Sequence, residues 1–258
     1  MKELFSMWKN TRMIMLVALT AALYAAILIP FKGIPLVPGI TEIRPAQVIA
    51  ATFPLFFGPA GAWGLALGNL IGDMFGTLSV ASIFGFIGNF FMGATYYKLW
   101  RTFGKEPVIK SGSDYGLYAL TVLCAAFLCG AIIGWGVELL GMWPFASLGI
   151  IISLNNSILP LILGPALLAI LYPRIKKWGL LWEDIMDQED ISKPRFIIPA
   201  RIMVVVGSLG AVLVGLAVST GAYDATLAAM VPGTAAVGVI AAVAPFIIIT
   251  ILALLFLI

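Results

Sequence analysis

From Met13 to Ile29 the chain runs through seventeen residues without a charge and stops at Pro30. Uncharged runs of the same kind recur from Leu117 to Val137 and from Leu148 to Leu171. A helix crosses ~30 Å of hydrocarbon with about 20 such residues, so these runs dictate a lipid environment. Composition agrees: 62% of the residues are hydrophobic and 10% charged, with a mean hydropathy of +1.08, where soluble domains carry about 25% charge. No segment alternates apolar and polar residues as a barrel strand does, so the crossings are helical. The predicted fold class is an all-α, polytopic membrane helix bundle. Lys9 and Arg12 precede the first run, as in a secretory leader, but the run is long for one and further spans follow, which predicts a retained helix.

Pro and Gly punctuate the rest into eight predicted helices. The first covers about 13–29, and a Pro/Gly-rich loop, 31–40, leads to Glu42-Ile-Arg44-Pro-Ala-Gln47. Read as one helix, 46–75 would extend ~45 Å at 1.5 Å per residue. The turn signal Gly58-Pro59, with Gly61, instead splits it into two short helices with a reversal at 57–62. Helices follow at about 80–100, 117–140 and 148–171, the last carrying Pro160 and Pro165 and expected to kink. The predicted organisation is a six-helix membrane domain over 1–175, a charged cytoplasmic loop over 176–201 and a helix pair over 202–258, the pair at about 202–220 and 235–257.

Eight crossings put both termini and 13 of the 15 basic residues on one side, leaving Lys32 and Arg44 opposite. The positive-inside rule makes the basic side cytoplasmic. Merging the ambiguous pair gives 12 against 3 with the N-terminus outside, so helix length and the Gly-Pro break decide the topology more than charge does. The net charge of +3 carries no nucleic-acid signal. Cys124 and Cys129, five apart, do not face each other on a helix and read as inert thiols. Histidine is absent, which removes the commonest metal ligand and proton shuttle; no metal and no cofactor is expected.

Ionisable residues at membrane depth cost on the order of 2.5–3.5 kcal/mol each and persist where they face a cavity or a partner. Here they gather in the outer half. Glu42, Arg44 and Gln47 stand at the outer end of the second helix, and Asp73 near the outer end of the third with Asn69 one turn deeper on the same face. Asn89, Glu138, Trp143, Asn155 and Asn156 complete the set. A guanidinium, carboxylates and carboxamides together suit a planar ligand with several donors and acceptors, and Tyr24, Trp63 or Trp143 could supply stacking faces. Structural alternatives stand beside each assignment. Glu42 and Arg44 also read as a solvated interfacial pair, Asp73 as a loop cap or an architectural partner of Arg44, Glu138 as a helix-end carboxylate reaching water, and Asn69 and Asn89 as helix–helix glue. Ala18, Ala22 and Ala26 at i, i+4, i+8 form a small-residue face that suits either a docking partner or packing within the chain.

Enzyme signatures are missing: there is no Gly-rich phosphate loop with its lysine, no His-Glu-x-x-His, no Cys-x-x-Cys and no nucleophile elbow. The chain is therefore expected not to be an enzyme, and energised transport would need a partner ATPase. From the residues alone a substrate-capture protein, an ion- or proton-coupled secondary transporter using Asp73 or Glu138, and a non-transporting membrane assembly subunit all remain open.

Over about residues 10–175 the chain resembles a substrate-binding (S) component of an energy-coupling-factor (ECF) transporter, nearest to the queuosine-precursor (QueT) group. The resemblance rests on Ala-Leu-Thr-Ala-Ala-Leu-Tyr-Ala-Ala from Ala18 to Ala26, on Glu42-Ile-Arg44-Pro-Ala-Gln47, and on Gly64 to Asp73 with Phe75-Gly76. QueT-like proteins tend to carry Gln-x-Arg-x-x-Glu at the second segment; here Glu42 stands at the Gln position, Arg44 matches and Gln47 replaces the Glu. The resemblance implies capture of a vitamin-like or nucleobase-like nutrient at the cell membrane. It also implies docking of the alanine face on a membrane coupling subunit attached to two ATPase subunits, and toppling of the loaded S component to release its ligand inside.

Overall fold

The computed structural model describes residues 2–38, 41–193, 196–221 and 235–257. Nearly all of it is helix. Five stretches, Thr11–Gly33, Gly112–Leu139, Phe145–Ile185, Ile197–Ser219 and Gly238–Phe256, are long and apolar enough to cross a membrane. The chain is a multi-pass, all-α membrane protein.

A short helix, α1 (Lys2–Ser6), precedes the first predicted span. Asn10 caps α2 (Thr11–Leu28), its side-chain oxygen accepting from the N–H groups of Arg12 and Met13. A 3-10 turn, Ile29–Gly33, follows, and the expected irregular loop instead contains a small hairpin: β1 (Pro35–Val37) pairs antiparallel with β2 (Thr41–Glu42).

The second predicted span is two short pieces, α3 (Gln47–Ala50) and α4 (Phe53–Phe57). Pro54 has no N–H to continue the ladder and sits in the first turn of a new helix. The reversal occurs at Gly58 alone, whose φ of +51° suits glycine, and α5 (Pro59–Asp73) begins at the next residue. Gly64, Gly68 and Gly72 face α2. A Cβ at Gly64 would lie 2.4 Å from Thr20 and one at Gly72 2.5 Å from Leu28. This glycine stripe lets α5 lie close along α2, carrying Asn69 and Asp73 up beside Tyr24.

Then come α6 (Ser82–Thr102), α7 (Gly112–Leu139) and α8 (Phe145–Lys177). α8 has 33 residues and continues unbroken through Pro160, Pro165 and Pro173, past the predicted end at 171. Pro165 leaves the Leu161 carbonyl without its helical partner, and the Tyr115 hydroxyl donates to it at 3.3 Å. A short α9 (Trp182–Ile185) leads to α10 (Ile197–Ser219) and α11 (Ala235–Leu252), which passes into a π turn, Ala253–Leu257.

Two apolar clusters result. One fills the space among α2 to α8 around Tyr24, Phe56, Tyr96 and Tyr118; the other joins α10 and α11 to the opposite face of α7. Cys129 belongs to the first and Cys124 to the second, as their spacing requires, and both are free.

The bundle has two ends of different character. The basic end collects α1, the 103–111 loop and the segment from Trp178 to Lys193. There Lys98 pairs with Glu3 at 2.7 Å, Arg101 with Glu183 at 3.0 Å and Lys2 with Asp190 at 2.9 Å. The hairpin end holds β1–β2, the 74–81 loop, the 140–144 turn and the last turn of α10.

Candidate functional site: a buried polar cluster at the hairpin end

Three separate segments deliver charge to one place. β2 ends at Glu42 and the chain leaves it through Arg44; α5 ends at Asp73, with Asn69 one helical turn earlier. All four side chains are buried, none more than 6% exposed. Arg44 Nε lies 3.2 Å from Glu42 Oε1, and Arg44 Nη1 donates to Asn69 Oδ1 at 3.3 Å. Asn69 Nδ2 in turn donates to Asp73 Oδ2 at 3.2 Å. Burial at this depth excludes the solvated surface pair for Glu42 and Arg44.

The cluster has a fifth member. Lys32, from the 3-10 turn, places its ammonium 3.2 Å from Glu42 Oε2 and 3.2 Å from Asp73 Oδ1, and donates to Thr77 Oγ1 at 2.6 Å. Two cations and two carboxylates thus neutralise one another in a site that water barely reaches. Desolvation of such charges is offset only when the geometry is good and remaining hydrogen-bonding capacity is filled.

That capacity is not filled. Glu42 Oε1 and Arg44 Nε meet as an ion pair without hydrogen-bond alignment, and neither has a hydrogen-bond partner. Deeper in the bundle Gln47 Nε2 donates to the Tyr24 hydroxyl at 3.0 Å, which donates to Asn89 Oδ1 at 3.4 Å. Gln47 Oε1 and Asn156 Oδ1, both on fully buried residues, have no partner. An orphaned buried polar atom costs about 1–3 kcal/mol, and four of them gather here.

Asn155 plays a different part. Its Nδ2 donates to the Glu42 carbonyl at 2.7 Å and its Oδ1 accepts from the Arg44 N–H at 3.3 Å. It grips the backbone of the hairpin strand as a neighbouring strand would. Glu138 is not brought to the cluster: it accepts from the N–H of Phe145 at 2.9 Å and so caps the start of α8. Trp143 lies in the α7–α8 turn, 40% exposed. Trp63 is also elsewhere, donating to the Leu4 carbonyl and packing edge-on to Trp8 at the basic end. Of the three aromatic residues proposed as stacking faces, Tyr24 alone joins the network.

The cluster borders a cleft of about 30 Å³, walled by Arg44, Asn69, Asp73 and Thr77 on one side and Ile133, Val137 and Ile152 on the other. That is room for about two waters. A wider cleft, about 510 Å³, opens at the basic end among Trp100, Arg101, Lys105 and Trp182. Its cations are already taken: Arg101 holds Glu183, Lys105 holds Asp114, and Lys176 holds Glu106. Unpartnered buried atoms occur at this end too, on Ser6 and Asp114, but at the hairpin end those of Glu42, Arg44, Gln47 and Asn156 gather in and beneath the polar cluster.

Ala18, Ala22 and Ala26 face outward along α2, while Ala21 and Ala25 turn inward. Packing within the described chain does not use the outer three.

Residues 14–173 match the model of the QueT transporter family. The chain belongs to that family. The match runs from the first turn of α2 to the last turns of α8, takes in every residue of the polar cluster, and leaves α10 and α11 outside it. As a QueT-family member this is a membrane transport protein of the S-component kind. Neither the curated proteins nor the solved structures give a match to it.

Proposed function

We propose that this chain is the substrate-capture subunit of an ATP-driven ECF importer and takes a small polar, vitamin-like or nucleobase-like nutrient from outside. The observation that carries the reading is the convergence of Glu42, Arg44, Asn69 and Asp73, buried, with neighbouring acceptors unspent. Arg44 and Asn69 supply donors, while Glu42, Asp73, Gln47 and Asn156 supply acceptors along the edge of a planar heterocycle. Asn89 and Tyr24 orient Gln47, and Asn155 holds the strand that presents Arg44. Asp73 is engaged by Lys32, Asn69 and Thr77, and Glu138 caps the start of α8, so each carboxylate already has a structural partner.

Eight crossings, with both termini cytoplasmic and the hairpin end outside, fit the basic residues gathered at one end. In this arrangement residues 1–175 form the six-helix capture domain, 176–201 a cytoplasmic loop and 202–258 an added helix pair. The outward stripe of Ala18, Ala22 and Ala26 is the docking face for the membrane coupling subunit, which brings two ATPase subunits; the chain itself catalyses nothing.

Uptake tests both halves. In cells expressing the coupling module, uptake is expected to require ATP and to survive collapse of the ion gradients. Ala22→Trp is expected to abolish uptake while leaving binding to the purified protein intact. Uptake that follows the proton gradient overturns the ATP-driven reading, and normal uptake by Ala22→Trp removes α2 as the docking face.

A further inference from the structure

We propose that the helix pair α10–α11, which lies outside the family match, is a positioning element for the capture site. The pair sets the register of the first half of α8, and so the placing of Asn155 and Asn156. This deepens the functional reading above and rests on the hairpin-end cluster being the capture site. Phe145, Gly149, Ile152 and Asn156 follow one another at i, i+4, i+7 and i+11 on α8, all buried. One face of the helix therefore carries its first residue, a wall of the cleft and an orphaned amide oxygen. Whatever fixes Phe145 fixes Asn156, three helical turns or about 16 Å further along.

The added pair holds Phe145. Its ring is fully buried in a notch between Gly134 of α7 and Gly215 of α10. A Cβ at Gly134 would lie 3.2 Å from the ring, and one at Gly215 would run into it and into Val243 of α11. The N–H groups that open α8 are divided between the two sides. Phe145 donates to Glu138 of α7 at 2.9 Å, and Ala146 to Ser219 Oγ of α10 at 3.3 Å. The pair is itself braced along the bundle. Arg201 donates to Thr102 Oγ1 at 2.9 Å near the basic end, and Trp135 of α7 to the Ile240 carbonyl of α11 at 3.1 Å.

Its own neighbours in sequence hold this stretch of α8 loosely. The turn leading into it exposes Leu140, Met142 and Trp143, each by 38% or more. On the far side, Pro160 has no N–H to give to the Asn156 carbonyl, which weakens the ladder between the site-bearing stretch and the rest of α8.

Cys129 of α7, fully buried against the Asn156 side chain, senses the fit. Purified full-length variants are treated with N-ethylmaleimide, and alkylation of Cys129 is separated from that of Cys124 by peptide mass spectrometry. Gly215→Leu drives a side chain into the Phe145 ring. It is expected to speed Cys129 alkylation about tenfold, because reaction of a buried thiol follows the population of locally opened states. Native mass spectrometry of the same sample is expected to show the co-purified molecule lost. Gly215→Leu with Phe145→Ala, which refills the notch from α10, is expected to return both readings toward the parent. Ser219→Ala keeps the packing and is expected to speed alkylation about threefold through the lost cap. Gly207→Leu crowds Thr250 and Phe246 inside the pair and is expected to lower the unfolding temperature with Cys129 reacting at the parent rate. Parent-like alkylation in both Gly215→Leu and Ser219→Ala overturns the positioning role. Equal acceleration by Gly207→Leu does so too, since the effect would then be general loosening. Alkylation needs no ligand, so the expected pattern in a chain that carries no molecule would keep the positioning role and sink the capture reading. An occupied parent with unchanged alkylation in the variants would do the reverse.

Discussion

At the basic end Glu3 and Lys98 are 1% and 2% exposed, as deeply buried as the charges of the hairpin end. There both oxygens of Glu3 are engaged: Lys98 and Tyr97 meet one, and Ser192 donates to the other. Arg101 donates to the Ser192 carbonyl, and Asn10 to that of Ile185, so α1 and the 178–193 segment are laced to the bundle. The hairpin end buries two cations and two carboxylates and still leaves Glu42 Oε1, Arg44 Nε, Gln47 Oε1 and Asn156 Oδ1 without hydrogen-bond partners. Burial of charge is common to both ends, and orphaned atoms occur at both, Ser6 Oγ and Asp114 Oδ1 at the basic end; what differs is that the Glu3–Lys98 pair is filled while the hairpin-end ion cluster is not. A saturated buried pair fixes a structure; the unsaturated one is, on the proposed function, where the ligand binds.

The comparison breaks most visibly at Glu3. Glu3→Met removes the carboxylate that pairs with the buried Lys98 ammonium, and breaking such a pair costs about 3–5 kcal/mol. Thermal unfolding should show that loss, with most of it recovered when Lys98→Met is added and with ligand affinity of the folded protein unchanged. Arg44→Met should show the opposite balance, weakening ligand binding by about 1–3 kcal/mol through its lost donors, measured by titration once the captured molecule is known. Asp73→Asn keeps the shape and removes one negative charge; about 1 kcal/mol of binding is expected to go, at the lower end of the same range.

A pH series sharpens the contrast. Burial alone would raise the Glu3 carboxyl, but the Lys98 ammonium and the Ser192 hydroxyl hold it down at about 2, against an ordinary 4.5. A depressed carboxylate stabilises the fold above its ordinary value and loses that contribution as pH falls from about 4.5 toward 2. The unfolding midpoint should therefore drop across that window in the native chain and drop less in the Glu3→Met, Lys98→Met pair.

Much of this was legible in the sequence because lipid makes polar residues conspicuous. The apolar runs gave the long helices, and Gly58-Pro59 gave the reversal to within a few residues. Glu42, Arg44, Asn69 and Asp73 were visible as a group because the predicted spans put them at one end, although Glu42 lies on β2 and Arg44 just after it rather than on a helix. Lys32 was not, since it sits in a loop, and a loop lysine ordinarily points to water; only the tertiary fold aims it at two carboxylates. Glu138 and Asn155 had the right depth but the wrong partners, because which way a helix-end side chain turns depends on the neighbouring backbone. The hairpin at 35–42 was hidden by its prolines and glycine, which read as irregular loop, and Trp63 by the absence of any sequence signal for α1.

Native mass spectrometry of the gently purified protein, run beside Arg44→Met, goes to the centre of the account. The native chain is expected to carry one small polar molecule, and the variant, folded by circular dichroism, to have lost most of it. A native chain that is bare after gentle extraction, or a variant that holds the same molecule at the same occupancy, would contradict the assignment of the hairpin-end cluster as the capture site.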